Sequence, residues 1–261
     1  MDPDGKRIVV TGASRGIGAA IARELASAGA RLVLVARSAE RLAELADQLE
    51  AEFIVGDLLD RSFASDVIDR VAAGGPVDIL VNNAGIEHTG PLWSQSADDI
   101  RSVFELNLVI PAQLCAGVIP LMQSQGTGHL VNVSSLAMCA TTPGFATYGA
   151  SKSGLSALAE TLRVELDGTG IGLTTVEIGF VDTAMFDDLR AVGQTGSVID
   201  RYRRLRLQRV LDVEEVAVAV RRGIEDERHH VRLPRRSAVF PMITNAPRAV
   251  GRLVQRGVPT R

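Results

Sequence analysis

Short buried-strand patterns alternate with helical patterns along the chain, and this alternation constrains the fold more than any other feature. The predicted strands cover residues 6–12, 31–36, 52–58, 77–85, 128–135, 171–179 and 229–234. Helical patterns cover residues 16–28, 38–51, 97–124, 147–168 and 212–226, with another helix between the third and fourth strands. Because parallel strands need a long crossover between them, usually a helix, the alternation predicts a parallel sheet covered by helices.

The predicted strands are too apolar to face water, which is typical of a sheet buried on both faces. We therefore predict one α/β domain spanning residues 1–261, a doubly wound (Rossmann) fold whose seven-stranded parallel sheet is flanked by helices. Residues 184–210 fit this pattern least well, because they are long, mixed in character and rich in arginine. They follow the carboxyl end of a strand, where such folds bind ligands, and they are predicted to form a substrate loop or lid.

Composition narrows the function classes. The net charge of -3 gives no electrostatic basis for nucleic-acid binding. The two cysteines, Cys115 and Cys139, match neither a disulfide framework nor a metal motif, so we expect no metal and a reducing, cytoplasmic location. The first residues lack the features of a secretory signal. The sequence has no apolar run of 18 residues, so we predict no transmembrane helix.

The first predicted strand leads into a glycine-rich turn, VVTGASRGIG, at residues 9–18. Gly12, Gly16 and Gly18 would let the backbone approach phosphate groups, and the N-terminus of the following helix would offer free N–H groups. The spacing is GxxxGxG rather than GxGxxG. On the glycines alone, a dinucleotide site and a turn needed only for tight strand–helix packing both remain open.

Arginines near this turn favour NADP(H) over NAD(H) as the cofactor. Arg15 lies inside the turn, and Arg37 and Ser38 follow Ala36 at the end of the second predicted strand. NAD-binding proteins usually carry an acidic residue there, which would repel a 2′-phosphate. Two arginines would instead bind that phosphate, with roughly 1.5–3 kcal/mol for each charge-assisted hydrogen bond. These residues predict NADP(H); the alternative is two solvated surface arginines.

The segment YGASK places Tyr148 and Lys152 four residues apart, on the same face of a predicted helix. A free tyrosine has a pKa of about 10 and is a poor base at neutral pH. A neighbouring ammonium group would stabilise the phenolate and lower that pKa. Such a tyrosine could protonate a carbonyl oxygen or deprotonate an alcohol. Taken alone, the pair could equally be an ordinary surface pair.

Further polar residues stand at the carboxyl ends of strands. Ser135 ends the fifth predicted strand, 13 residues before Tyr148, and Asn107 lies 41 residues before Tyr148. Ser134 could serve chemically as well, but the spacing favours Ser135. The NNAG segment at 82–85 ends the fourth strand with small residues that permit close approach of a cofactor.

In this order and at these spacings, the motifs resemble the short-chain dehydrogenase/reductase family over about residues 5–235. They are TGASRGIG, Asp57, NNAG, Asn107, Ser135 and YGASK.

The resemblance implies the roles of the catalytic residues. Tyr148 is the general acid or base, and Lys152 lowers its pKa and contacts the nicotinamide ribose. Ser135 hydrogen-bonds the substrate oxygen, and Asn107 holds a water that links Lys152 to solvent.

Together, the turn and the resemblance imply a set of cofactor-binding residues. They are Gly12, Ser14, Arg15, Gly16, Ile17, Gly18, Arg37, Ser38, Asp57, Leu58, Asn83, Ala84, Gly85, Tyr148, Lys152, Gly179, Val181 and Thr183. One departure from the family pattern follows the sixth strand, where Ile178 replaces the usual proline. The resemblance implies that Thr183 contacts the carboxamide of the cofactor, and the loss of the proline implies a less rigid loop before it.

We therefore expect an NADP(H)-dependent oxidoreductase that interconverts a carbonyl and an alcohol on an apolar substrate, acting as a reductase. The alternatives are an NAD-linked alcohol dehydrogenase and a catalytically silent NADP-binding sensor or scaffold. An apolar pocket is predicted from four residues that flank the catalytic motifs: Met138, Phe145, Met185 and Phe186. The resemblance also implies a homodimer or homotetramer, with the helices at 97–124 and 147–168 at an interface.

Two basic segments have open roles. Residues 201–209 carry five arginines and are either a solvated helix face or a site for the phosphate of a coenzyme A or carrier-protein thioester. If they form a helix, Tyr202 and Leu205 should face the pocket or core. The C-terminal basic tail, 236–261, could touch an anionic membrane surface or cover a subunit interface or the substrate cleft.

Overall fold

The computed structural model describes residues 1–205, 208–235 and Pro241. The described residues contain seven strands: β1 (Arg7–Thr11), β2 (Arg31–Ala36), β3 (Glu52–Val55), β4 (Ile79–Asn82), β5 (Gly128–Ser135), β6 (Ile171–Ile178) and β7 (His230–Leu233). All pair in parallel, in the order β3-β2-β1-β4-β5-β6-β7. This confirms the doubly wound sheet, and its strand order reverses between β1 and β4, where such folds bind ligands.

Helices cover both faces of this sheet. They are α1 (Gly16–Ser27), α2 (Ala39–Gln48), α3 (Arg61–Ala73), α4 (Ala97–Phe104), α5 (Ile110–Gln125), α6 (Ala146–Glu165), α7 (Ala184–Ala191), α8 (Gly193–Arg204) and α9 (Val213–Glu225). In β1, Ile8 and Val10 belong to the core under α1, α2 and α9, whereas Val9 belongs to the core under α3, α5 and α6. Alternate residues of each inner strand therefore fill two separate apolar layers.

The predicted helix over 97–124 is continuous but contains a π-helical turn, Glu105–Val109, between α4 and α5. A π-helical turn holds one extra residue and is common at functional sites. By length and composition alone, the run Ala97–Gln125 is long and apolar enough to cross a membrane, but buried core helices meet the same criterion. Its α5 segment buries Leu114, Val118 and Met122 in the core beneath the sheet.

Five strands are shorter than predicted, and two of them end three residues early. The third, predicted over 52–58, ends at Val55 and lies at the edge of the sheet, where Phe53 is 46% exposed. The expectation that every strand is covered on both faces is therefore wrong for β3. The fourth, predicted over 77–85, ends at Asn82, so that most of the NNAG segment forms a loop.

The poorly fitting segment 184–210 is mostly helical, since it contains α7 and α8. Tyr202 is buried, as predicted, but Leu205 is 54% exposed because α8 ends at Arg204. The prediction for Leu205 is therefore wrong. The basic tail at 236–261 lies outside the described residues apart from Pro241, and so do residues 206 and 207 of the arginine-rich segment.

Candidate active site

The glycine-rich turn joins β1 to α1 in a conformation that side chains would obstruct. Gly12 and Gly16 have φ values of +69° and +55°, in the left-handed region. A Cβ atom on Gly12 would lie 2.8 Å from the Cα of Ala84, and one on Gly18 would lie 2.3 Å from the Gly12 oxygen. Among the described residues, no side chain caps the N-terminus of α1. Its first N–H groups are therefore available to an anion.

The end of β4 is tied to this turn by hydrogen bonds. The Asn83 side-chain amide donates to the carbonyl oxygens of Thr11, at 2.9 Å, and Gly12, at 3.3 Å. The Thr11 hydroxyl accepts from the backbone N–H groups of Asn83, at 3.0 Å, and Ala84, at 3.1 Å. These bonds fix the two strand ends that flank the switch point, and a long cleft opens beside them.

Almost all the predicted cofactor-binding residues line this cleft, from the glycine turn through residues 37–38 and 57–58 to residues 83–85, Tyr148, Lys152 and Thr183. Gly179 and Val181 line the adjoining cavity instead. The sequence analysis missed Arg41, which lies in the first turn of α2 and also lines the cleft. Its position in the first turn of the helix predicted over 38–51, shortly after Arg37 and Ser38, was an available signal.

Arg37 stands at the ribose end predicted for the cofactor. Its guanidinium donates to the Asp57 carboxylate at 3.4 Å, and both side chains are well exposed. Exposed ion pairs contribute only about 0–1 kcal/mol, so this pair holds the guanidinium weakly. The cleft therefore presents three arginine side chains besides Lys152, and of these Arg37 has a weak competing partner in Asp57.

Asn107 lies in the π-helical turn and is completely buried. Its side-chain oxygen accepts from the Ile86 N–H at 2.9 Å, and its amide donates to the Ile86 carbonyl at 2.8 Å and to the Ser151 hydroxyl at 3.1 Å. A Cβ on Gly85 would lie 3.0 Å from the Asn107 oxygen and 3.5 Å from Lys152 Nζ. Asn107 thus connects the loop after β4 to α6, beside the Lys152 ammonium group.

Lys152 and Tyr148 lie on one face of α6, as predicted. The Lys152 Nζ atom is 5.9 Å from the centre of the Tyr148 ring and donates to the Val133 carbonyl oxygen at 2.9 Å. Burial lowers the pKa of Lys152 to about 8. The ammonium group is therefore close to losing its proton at neutral to mildly basic pH.

The pKa of Tyr148 moves opposite to the sequence expectation. Burial raises it above its usual value, the carboxyl of Glu87 raises it further, and a hydrogen bond with the Ser135 side chain lowers it. The predicted lowering by Lys152 is therefore wrong for the site that the protein's side chains form by themselves. The reason is that desolvation penalises the phenolate more than its neighbours stabilise it. Tyr148 is a neutral phenol at physiological pH.

The two candidate serines have different surroundings. Ser134 is buried, and its hydroxyl donates to the Lys152 carbonyl oxygen at 3.2 Å. Ser135 lines the cavity beside Tyr148, and its hydroxyl donates weakly to the Ile178 carbonyl oxygen at 3.3 Å. The Ser135 hydroxyl is thus the one that adjoins both Tyr148 and the cavity.

Ile178, at the usual proline position, is the last residue of β6 and is buried. Thr183 follows as the N-cap of α7, where its side chain accepts from the Phe186 N–H at 3.3 Å and donates to the Val181 oxygen at 3.2 Å. Thr183 lines both the cofactor cleft and the cavity. The capping bonds hold its side chain at the boundary between the two.

The cavity beside Tyr148 is mainly apolar and joins the cofactor cleft. Five residues line both spaces: Ile17, Tyr148, Ile178, Thr183 and Met185. Three of the residues predicted to form an apolar pocket, Phe145, Met185 and Phe186, line the cavity. The prediction is wrong for Met138, which is not among the described residues that line the cavity. Its sulfur packs against α6 instead and accepts a hydrogen bond from the Ser156 hydroxyl at 3.1 Å.

Glu87 is a functional candidate that sequence reasoning missed. It lines the cavity two residues after the NNAG segment. Its pKa is raised to about 8, mainly by burial and also by the charge of Asp188, while a hydrogen bond from Thr89 opposes the rise. Its Oε2 atom is buried and has no hydrogen-bond partner among the described residues. The segment IEHTG resembles a solvated loop, and no local pattern indicates that this carboxyl is buried.

Comparisons with known proteins agree with this geometry. The family model described as short chain dehydrogenase matches residues 6–192. The chain is 33% identical over 256 residues to the ketoacyl reductase HetN of Nostoc sp., covering 95% of this chain and 85% of that protein.

Two solved structures are similar over most of the chain. A short-chain dehydrogenase from Sphingobium yanoikuyae, in complex with NADPH, has a TM-score of 0.81 at 28% identity and 98% coverage of both chains. A bulky-bulky ketone specific alcohol dehydrogenase from Comamonas testosteroni has a TM-score of 0.77 at 29% identity, covering 89% of this chain and 88% of that one.

Proposed function

The chain belongs to the short-chain dehydrogenase family of oxidoreductases, and from this premise we propose that it is an NADP(H)-dependent reductase of apolar ketones. The observation that carries the proposal is the junction of two spaces at Tyr148. One is a cleft with a glycine turn and three arginines, and the other is an apolar cavity that contains Ser135.

The cleft has the chemistry that a dinucleotide needs. The turn at Gly12 and Gly16 and the uncapped N-terminus of α1 suit a pyrophosphate, and Arg15, Arg37 and Arg41 suit a 2′-phosphate. When bound there, a nicotinamide cofactor supplies the hydride chemistry that amino-acid side chains lack. The NADPH bound to the Sphingobium yanoikuyae relative supports this choice of cofactor.

The chain's own residues handle the substrate oxygen and its proton. Ser135 orients the carbonyl oxygen by a hydrogen bond, and Tyr148 donates its phenolic proton to that oxygen as negative charge develops there. The raised pKa of Tyr148 keeps the phenol protonated, as a reductase requires of its acid. The Lys152 ammonium group stabilises the phenolate that remains, and Asn107 holds the loop after β4 against α6.

The apolar wall of the cavity supports a ketone on a hydrocarbon skeleton. Aromatic side chains from several elements, such as Phe145, Phe180 and Phe186, form much of that wall. The relative named ketoacyl reductase and the ketone-specific relative both support reduction of a carbonyl compound. A coenzyme A or carrier-protein thioester is the more specific candidate that residues 201–209 suggest.

Further parts of the proposal concern the assembly and its location. We propose a homodimer or homotetramer through the helices at 97–125 and α6, to be checked by light scattering coupled to size-exclusion chromatography. A reducing compartment such as the cytoplasm suits the two buried cysteines, Cys115 and Cys139.

The deciding experiment follows NADPH oxidation by absorbance against a panel of apolar ketones, aldehydes and ketoacyl-coenzyme A thioesters, with NADH in parallel. We expect consumption of at least one ketone class with NADPH and at least ten-fold weaker use of NADH. Tight NADPH binding without turnover of any carbonyl would favour the sensor or scaffold alternative. Equal or better use of NADH would favour the NAD-linked alcohol dehydrogenase.

Arg37→Asp tests the cofactor assignment directly. The substitution removes a cation from the predicted phosphate site and adds a carboxylate, so the affinity for NADPH should fall by at least about ten-fold, the factor that corresponds to 1.4 kcal/mol. The affinity for NADH should be equal or higher. A matched control is Arg23→Ala, an exposed arginine of α1 outside the lining of the cleft.

A further inference from the structure

Glu87 is a polar group in a cavity whose wall is otherwise mostly apolar. It lines the same space as Ser135 and Tyr148, and it is close enough to Tyr148 for its charge to affect the pKa of the phenol. The proposed reaction uses only Ser135 and Tyr148 at the substrate oxygen. The proposed proton transfer does not use the carboxyl of Glu87.

The Oε2 atom of Glu87 has an unused hydrogen-bonding position that a ligand group could fill. Oε2 is buried without a hydrogen-bond partner among the described residues, whereas Thr89 hydrogen-bonds to the carboxyl. A buried polar atom without a partner costs about 1–3 kcal/mol. A substrate group that reaches this atom removes the penalty, so it gains more from the contact than it would at a solvated residue.

We propose that Glu87 is a specificity-determining residue, which donates a hydrogen bond from its carboxylic acid to a second oxygen of the substrate. The preferred substrates are then apolar ketones that carry another carbonyl or ester oxygen. The inference rests on the proposed reductase function and adds the substrate class to it.

The surroundings of Glu87 favour a neutral acid over a carboxylate. Asp188 contributes negative charge from α7, Tyr148 contributes a neutral phenol from α6, and the part of the chain that the structure describes provides no ion pair for Glu87. With a pKa of about 8, the carboxyl is mostly protonated at pH 7. A protonated carboxyl has an O–H to donate, which matches a carbonyl or ester oxygen.

The test compares two ligands of equal chain length, ethyl 3-oxohexanoate and nonan-4-one, of which only the first has a second carbonyl. Calorimetric titrations are made with NADP⁺ present, which cannot reduce a ketone, and again without cofactor. We expect wild-type protein to bind the ketoester about 3–10-fold more tightly, the factor expected from one net hydrogen bond. Glu87→Leu should abolish this preference, and Glu87→Gln, which keeps an N–H donor, should retain most of it.

The ratio of the two affinities distinguishes recognition of the second oxygen from a merely structural role of Glu87. A structural defect weakens the binding of both ligands alike and leaves the ratio unchanged. Equal binding of the two ligands by wild-type protein, or an unchanged ratio in Glu87→Leu, overturns the inference. Preferential binding of an amine, 1-(diethylamino)hexan-3-one, that is lost in Glu87→Gln also overturns it, since the carboxyl would then bind a cation. If no ketone is reduced with NADPH, the proposed function fails, but the binding ratio still decides the role of Glu87.

Discussion

The cofactor cleft and the substrate cavity meet at Tyr148 but are built differently. The cleft is lined mainly by residues at the carboxyl ends of β1, β2, β3 and β4, and glycines of the turn after β1 leave room there for a ligand. The cavity is formed by side chains from α6, α7, α8 and the loops that follow β4, β5 and β6. Local motifs thus determine the cleft, whereas the shape of the cavity depends on how distant segments pack.

Tyr148→Phe should give the largest effect, because this residue belongs to both spaces and performs the proton transfer. Turnover should fall at least about 100-fold, the scale of general acid–base catalysis, while the affinity for NADPH remains within about two-fold. Steady-state kinetics and a fluorescence titration of NADPH measure the two quantities.

The matched control is Tyr202→Phe, since Tyr202 also lines the cavity and is the only other tyrosine in the chain. Its loss of a hydroxyl should change turnover less than about three-fold. If both variants lose activity equally, the phenol of Tyr148 has no special role. The junction of the cleft and the cavity would then not be the place of proton transfer.

Gly18→Ala should damage the cleft and leave the cavity chemistry intact where the protein folds. The new Cβ would lie 2.3 Å from the Gly12 carbonyl oxygen, a backbone atom that cannot move aside as the end of a flexible side chain can. Overpacking of this kind costs typically about 1–3 kcal/mol, so we expect a lower melting temperature and NADPH binding weakened by about ten-fold or more. Differential scanning fluorimetry with and without NADPH measures both.

Gly193→Ala is the control for this change, because a Cβ on Gly193 would have nothing within 4 Å among the described residues. That variant should keep its melting temperature within about one degree and its NADPH affinity unchanged. Equal effects of the two variants would mean that the tight approach at Gly18 is unimportant to the cleft.

The difference between the two spaces also explains what could be predicted from the sequence. The glycine turn, Asn83 and Tyr148 were found because each stands at a fixed distance from a strand end, and parallel strands bring their carboxyl ends together. Even Arg41, which was missed, lies one turn into α2 after Arg37. The sheet itself was predictable because its inner strands are apolar and regularly spaced.

The cavity could not be predicted in the same way, because burial there depends on tertiary packing. In the sequence Glu87 looks like a solvated loop residue. Its raised pKa comes from burial and from the charge of Asp188 in α7, which is distant in the chain. Leu205 was expected inside but is exposed, since the helix ends one residue before it. The pKa of Tyr148 was predicted from one neighbour, Lys152, whereas desolvation by the whole site decides its direction.

The stability of Glu87→Gln relative to wild type should depend on pH. The pKa of Glu87 is raised from an ordinary 4.5 to about 8 in the folded protein, so between these values the folded state binds more protons than the unfolded state. Wild-type stability from this group is therefore fully present below pH 4.5 and is lost as pH rises towards 8. Glutamine cannot ionise and has no such dependence.

Urea unfolding of both proteins at pH 5 and pH 8 measures this difference. Relative to wild type, Glu87→Gln should gain more than about 1 kcal/mol between the two pH values, since one pKa unit corresponds to about 1.4 kcal/mol. A constant difference in the free energy of unfolding would show that Glu87 is ionised and solvated in the folded protein. The polar feature that distinguishes the cavity from the cleft would then disappear.

The smallest predicted effect concerns the arginine-rich segment 201–209, of which Tyr202 and Gln208 line the cavity. Arg203 is exposed and is 3.7 Å from Asp200, a geometry typical of a weak surface pair. If this segment binds the phosphates of a ketoacyl-coenzyme A, Arg203→Ala should raise KM for that thioester about 2–5-fold, which corresponds to about 0.4–1 kcal/mol and lies within the range for one exposed charge. The KM for a free ketone should not change.

Arg101→Ala provides the matched control, because Arg101 forms the same kind of exposed pair, with Asp98 three residues earlier, and does not line either space. Kinetics should then show a raised KM in Arg203→Ala but not in Arg101→Ala when the substrate is a coenzyme A thioester. With free ketones the two variants should have the same KM. If both variants behave alike with both substrates, the arginines of α8 are a solvated helix face. The cavity would then recognise its substrate through its interior alone, with Glu87 as the main polar determinant besides Ser135 and Tyr148.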